Sequence, residues 1–168
     1  MSTGTLAKLS HHNKRLIRYC LEKAYPDGII SVERLIDDNL IIGTQVAELA
    51  VCRTNGNIEM CPVGIGRDLT DDSDVKTVTV QQENYKSKIP GKMLSRHRSQ
   101  VKDIVNKIGK LRVISYNPFF DNWKFFIIPN EAFWKLKKLT ITFDKTNGEP
   151  IGMYKQFEVH SWEELCKK

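Results

Sequence analysis

The sequence predicts an α/β protein, a mixed β-sheet flanked by helices. Three observations lead there. Apolar residues recur at helical spacing through the first third of the chain. From residue 58 onward they fall into strand-length runs bounded by turn residues. A helical pattern at 95–108 then interrupts the strands, so helices and sheet alternate.

Residues 11–25 place Leu16, Ile17, Cys20, Leu21 and Ala24 on one helical face, with Lys and Arg on the other. Pro26-Asp27-Gly28 ends that helix. Ser31 is a suitable N-cap for a short helix over 31–38 carrying Val32, Leu35 and Ile36. A further helix is expected over 43–53, and Thr54-Asn55-Gly56-Asn57 is a turn. Residues 58–70 and 74–82 read as the two arms of a β-hairpin around Asp71-Asp72-Ser73. A basic loop at 85–94 turns on Pro90-Gly91, and the amphipathic helix at 95–108 stops at Gly109. Strands at 111–117 and 123–129 flank a connection at 118–122, followed by a short helix over 130–138. A final hairpin, LTITF then MYKQFEV, turns around Asn147-Gly148, and the tail SWEELCKK reads as a helical turn.

The 168 residues are enough for one hydrophobic core, and no repeat or linker divides them. A single domain over 1–168 is expected, with a helical part at 1–55 and a sheet-containing core at 56–168. Hydrophobic residues at 40% and charged residues at 27% suit a globular chain. No apolar run has membrane-spanning length, and the N-terminus lacks a signal-peptide pattern, so an intracellular protein is expected. Cys20, Cys52, Cys61 and Cys166 contain no C-x-x-C pair, which disfavours a zinc site and suggests free thiols. The net charge is +6. Between Glu83 and Lys124 ten cations face three acids, a local +7 that leaves −1 for everything else. The basicity is regional, and a polyanionic partner is one reason for that.

The stretch with the most chemistry is GIGRDLTDDSDVKTVTV, residues 64–80. If the hairpin turns about Asp71, residues 68 and 74 lie opposite each other, with Cβ atoms roughly 5 Å apart. Lys76 projects from the same face as Asp74, and Val75 and Thr77 from the other. Two carboxylates so close require a cation or proton between them, and a hard divalent ion suits oxygen ligands. The alternative is a solvated acidic turn in which Lys76 simply pairs with a neighbouring acid.

Asp68 followed by Asp74-Val75-Lys76 resembles the signature of the PD-(D/E)xK, or restriction-endonuclease-like, nucleases. That resemblance implies a restriction-endonuclease-like core, Mg²⁺ as cofactor, and hydrolysis of DNA phosphodiester bonds at specific sites. It implies Asp68, Asp74 and Glu48, the last from the preceding helix, as metal ligands and catalytic residues. Lys76 would orient the attacking water. Cutting both strands of double-stranded DNA further implies a homodimer or higher assembly.

Lys86, Lys88, Lys92, Arg96, His97 and Arg98, interleaved with serines and Pro90-Gly91, have the composition of a phosphate-contacting surface and are the expected DNA-binding residues. The aromatic residues Trp123, Phe125, Phe126, Phe133 and Trp134 belong to a strand and helix, where core packing is expected. The alternative to a nuclease is a non-catalytic DNA-binding protein of helix-turn-helix or winged-helix type, using helices at 31–38 and 43–53. A third reading is an interaction module whose basic face binds an acidic protein.

Overall fold

The structure is a computed structural model describing residues 11–27, 45–60, 69–81, 84–88, 109–133 and 140–167. The helices expected at 31–38 and 95–108 lie outside these residues, as do 61–68 and 134–139.

Helix α1, His11–Ala24, buries Leu16, Ile17, Cys20, Leu21 and Ala24 and exposes Arg18 and Glu22, as its periodicity dictates. Helix α2, Gln45–Thr54, packs beside it through Val46, Ala47, Ala50 and Val51. Arg53 Nε donates to the carbonyl of Ala24 at 2.6 Å, so a cation satisfies an acceptor left over at the end of α1.

Strands β1 (Ser73–Thr79), β3 (Lys110–Asn117), β4 (Asn122–Pro129) and β7 (Glu158–Val159) form a four-stranded sheet in the order β1-β3-β4-β7. The β1/β3 pair is parallel, while β3/β4 and β4/β7 are antiparallel, so the sheet is mixed. Strands β2 (Lys86–Lys88), β5 (Thr140–Phe143) and β6 (Pro150–Ile151) form a separate antiparallel sheet.

Side-chain alternation sends the two faces of the large sheet into different cores. Val75, Ile114, Tyr116 and Phe125 meet α1, α2 and the C-terminal helix α4, Trp162–Leu165. Val78, Leu111, Val113, Phe126 and Ile128 meet Ile141, Phe143 and Tyr154 on the other side. Strand β3 is buried on both faces, like the centre of an α/β sheet. Helix α3, Asn130–Phe133, lies where the sequence predicts a helix over 130–138, of which 134–138 are outside the described residues. No helix of the described residues is long and apolar enough to cross a membrane.

Three expectations need correction. Residues 58–70 are not one arm of a hairpin: Met60 pairs antiparallel with Leu69, and Thr70 N donates to Glu59 O at 2.9 Å. Residues 59–60 and 69–70 thus run against each other instead of forming one continuous strand. Second, the basic stretch at 85–94 does not begin as a loop. Lys86–Lys88 pairs with β5, exposing Lys86 and burying Ser87, whose Oγ lies 3.1 Å from Ser115 Oγ. Third, MYKQFEV is not a strand. Gly152 at φ +80° ends β6, and Gly152–Phe157 forms a 3-10 helix before Glu158–Val159 joins β4.

Candidate active site at the start of the first strand

A tight turn delivers the chain into β1. Asp72 N donates to Leu69 O at 3.1 Å, and Leu69 N to Ser73 O at 3.0 Å, which centres the reversal on Asp71. Asp72 takes the left-handed conformation, φ 62°, which aspartate tolerates better than most residues. Its carbonyl accepts from Gly109 N at 2.5 Å, pinning the turn to the strand that enters beside it.

Asp71 is not a solvated turn residue. Its side chain is almost fully covered and receives both arms of the Arg112 guanidinium, Nη2 to Oδ2 at 2.7 Å and Nη1 to Oδ1 at 3.2 Å. Ser73 Oγ donates to Asp71 Oδ1 at 2.5 Å, and the Lys110 ammonium lies 3.4 Å from Oδ2. Burial by itself raises this carboxyl, but the bonds from Arg112 and Ser73 and the charges of Arg112 and Lys110 outweigh it. Together they hold it at about 2, well below the usual carboxylate range. Burial and the charge of Arg112 in turn lower Lys110, against the pull of Asp71.

Arg112 is wholly buried and its donors are fully engaged. Nε donates to Leu165 O at 2.7 Å, Nη2 also donates to Lys167 O at 2.7 Å, and Nη1 also reaches Ser73 Oγ. A guanidinium at this depth is tolerable only with such complete pairing.

Asp74 follows directly and is only 3% exposed. It lies in register with Leu111, and Lys76, half-buried, with Val113, so both project from the face opposite Val75 and Arg112. Glu48, on α2, is 8% exposed, and α2 packs against β1. Asp68 lies outside the described residues, and with it the expected convergence of Asp68 on Asp74. Among the described residues no three His, Cys, Asp or Glu side chains gather as a metal site. Helix α2, which carries Glu48, packs on the Val75 face of β1, whereas Asp74 projects from the other face, so the described residues do not bring these two carboxylates together.

Of the expected DNA-binding residues, Lys86 is exposed on β2. Lys88 is on the same strand, its side chain outside the described residues, as are Lys92, Arg96, His97 and Arg98. Among the described residues of the +7 region, three cations are engaged internally: Lys110 and Arg112 with Asp71, and Lys124 with Glu149 at 2.7 Å and Glu158 at 3.8 Å. The Asp71–Arg112 pair is the feature that sequence reasoning missed. A signal for it existed, because an arginine between Leu111 and Val113 in a strand of such apolar density needs a buried acid.

The thiols offer no nucleophile among the described residues. Burial pushes Cys20 and Cys166 up to about 12, and burial with the charge of Glu48 pushes Cys52 up to about 11, so all three stay protonated at neutral pH. No protein-family profile, curated protein or solved structure matches this chain.

Proposed function

We propose that this chain is a Mg²⁺-dependent endonuclease that hydrolyses phosphodiester bonds of double-stranded DNA, with Asp74 and Lys76 at its reacting centre. The observation that carries the reading is the placement of Asp74-Val75-Lys76. A buried carboxylate and a half-exposed ammonium leave one face of a strand two residues apart, at the outer edge of the sheet among the described residues.

The residue types fit a hard divalent ion, since Asp74 and Asp68 are oxygen donors and Asp74 is sheltered from bulk water, with Glu48, on the helix covering the other face of this edge strand, as the third candidate. Bound there, Mg²⁺ would polarise the scissile phosphate and acidify a water. Lys76, whose ammonium has no lone pair to give a metal, would hold the attacking water by hydrogen bonding and offset negative charge growing on the phosphate. The +7 region, with Lys86, Lys88, Lys92, Arg96, His97 and Arg98, supplies the positive charge that attracts a polyanion. Cleavage of both strands calls for two sites, so a homodimer belongs to the same proposal.

The burial of α2 weighs against the helix-turn-helix alternative. A recognition helix offers an exposed row along its N-terminal half. Here Val46, Ala47, Glu48, Ala50 and Val51 are all buried, and among the described side chains of the helix the exposed ones are Arg53 and Thr54, at its C-terminal end.

The test is incubation with long, mixed-sequence DNA and Mg²⁺, beside an EDTA control and the variants Asp74→Asn and Lys76→Ala. Discrete fragments are expected, vanishing with EDTA and reduced by about 10²-fold or more in each variant. Retarded but intact DNA would remove the catalytic reading and leave a DNA-binding protein. Neither retardation nor cutting at low salt would leave an interaction module.

A further inference from the structure

We infer that Arg112 is the positioning residue of the candidate site. From the opposite face of the sheet it ties the 71–73 turn to the C-terminal segment, and so sets the backbone from which Asp74 and Lys76 project. Its functional half rests on the nuclease reading above.

One guanidinium holds both Asp71 and Ser73, and Asp74 is the next residue. The same group holds Leu165 O and Lys167 O, the carbonyls at the end of α4. Backbone bonds complete the restraint from the other flank: Gly109 N to Asp72 O at 2.5 Å, and Leu69 N to Ser73 O at 3.0 Å. The 69–73 turn, β3 and the C-terminal segment thus meet at one side chain.

The direction of the side chain matters as much as its partners. Val75 and Arg112 are in register, so Arg112 emerges on the face of Val75, and Asp74 points away from it. Arg112 therefore fixes the course of the chain at residues 71 and 73, while its charge is matched by Asp71. Its effect on Asp74 is therefore exerted through the backbone of the turn. A buried ion pair is also a poor source of stability, since apolar residues of similar volume often do as well. What a fork with fixed hydrogen-bond directions adds is one geometry for the turn.

The experiment compares the wild-type chain with the paired variant Asp71→Leu with Arg112→Met, and with Arg112→Lys. Folding is checked by circular dichroism, Mn²⁺ binding by calorimetry, turn mobility by hydrogen exchange of the amides of 72–76, and cleavage by kcat and KM for DNA. The paired variant removes both charges together and is expected to fold. Its 72–76 amides should exchange about 10-fold faster, with Mn²⁺ affinity and kcat falling about 10- to 100-fold and KM for DNA unchanged. A folded paired variant with wild-type exchange and wild-type Mn²⁺ affinity overturns the role of Arg112, whether or not the wild type cuts DNA. A wild-type chain that neither binds Mn²⁺ nor cuts DNA overturns the nuclease reading instead, and the exchange comparison still judges the clamp by itself. Should the paired variant not fold, Arg112→Lys decides. It keeps the charge but loses the fork, so the same changes are expected at smaller size, and wild-type values in it overturn the inference.

Discussion

Strand β3 has an arginine–aspartate pair beside each of its ends. At the N-terminal end Arg112 and Asp71 are sealed from solvent, their side chains 0% and 3% exposed, 2.7 Å apart and joined as a fork. At the C-terminal end Arg15 reaches Asp121 at 3.7 Å, with side chains 30% and 67% exposed. Arg15 spends its apolar stem and its charge differently, lying over the rings of Tyr116 and Trp123 at 5.9 and 5.5 Å. Those rings are themselves packed together: Tyr19 stacks on Trp123 at 3.9 Å, and Tyr116 lies tilted against Trp123 at 4.5 Å. The same two residue types thus serve opposite purposes. In the dry environment hydrogen-bond directions fix where a turn runs. In the wet one a cation shields an aromatic surface, and the acid beside it adds little.

The largest expected effect is at the sealed end. Arg112→Ala leaves the Asp71 carboxylate buried with Ser73 and Lys110 but without its fork. Urea unfolding should show a loss of about 3–5 kcal/mol. The paired Asp71→Leu, Arg112→Met variant should recover most of that. A single variant costing under about 1 kcal/mol would mean that water enters and screens the site, and the contrast between the ends would collapse.

This same contrast marks the limit of what the sequence could reveal. The apolar period of α1, the runs at 111–117 and 123–129, the Asn147-Gly148 turn and the reversal about Asp71 were all legible, because local pattern determines them. The parallel pairing of β1 with β3 was not, since a strand's period says which residues face inward and nothing about its neighbour. Lys-Ser-Lys hid β2 because its buried position is a serine, bonded to Ser115 instead of packed in oil. Within the candidate site, Asp74, Lys76 and Glu48 stood out as residue types at a suggestive spacing. Asp71 and Arg112 did not: the apolar neighbours of Arg112 call for a buried acid, but nothing local points to Asp71, 41 residues away, as that acid.

A smaller effect follows from acid. Asp71 titrates at about 2 in the folded chain, against an ordinary 3.8. Its folded value is the lower one, so the unfolded chain takes up the proton first as pH falls. Its contribution is fully present above about pH 4 and drains away between there and pH 2. The size is on the order of 1–2 kcal/mol, after allowing for the partial solvent screening that Lys110 at the rim implies. Lys110, Arg112 and Ser73 are the partners to follow, with Cys52 of α2 close enough to sense both Asp71 and Arg112. Urea midpoints at pH 6 and pH 2.5 should fall further in the wild type than in the paired variant, which has no carboxylate there to protonate. Equal falls would show that Asp71 is not the acid-sensitive group.

The smallest effect belongs to the exposed end, and its smallness is what the comparison requires. Arg15→Ala removes an ion pair whose aspartate is two-thirds exposed, together with a cation over two rings. The first part should disappear in 1 M salt, where the Debye length is about 3 Å. The second should largely persist, because the guanidinium lies directly over the Trp123 and Tyr116 rings, a short-range contact that salt screens little. Unfolding at 0.05 and 1 M NaCl is therefore expected to give a total cost below about 1 kcal/mol at low salt, only part of which survives at high salt. Tyr116 adds a check of its own, since its hydroxyl donates to Asp121 at 2.9 Å and keeps that acid anchored when Arg15 is gone. A loss at Arg15 approaching that at Arg112 would mean that exposure does not separate the two pairs. The fork at the sealed end would then need another explanation than geometry.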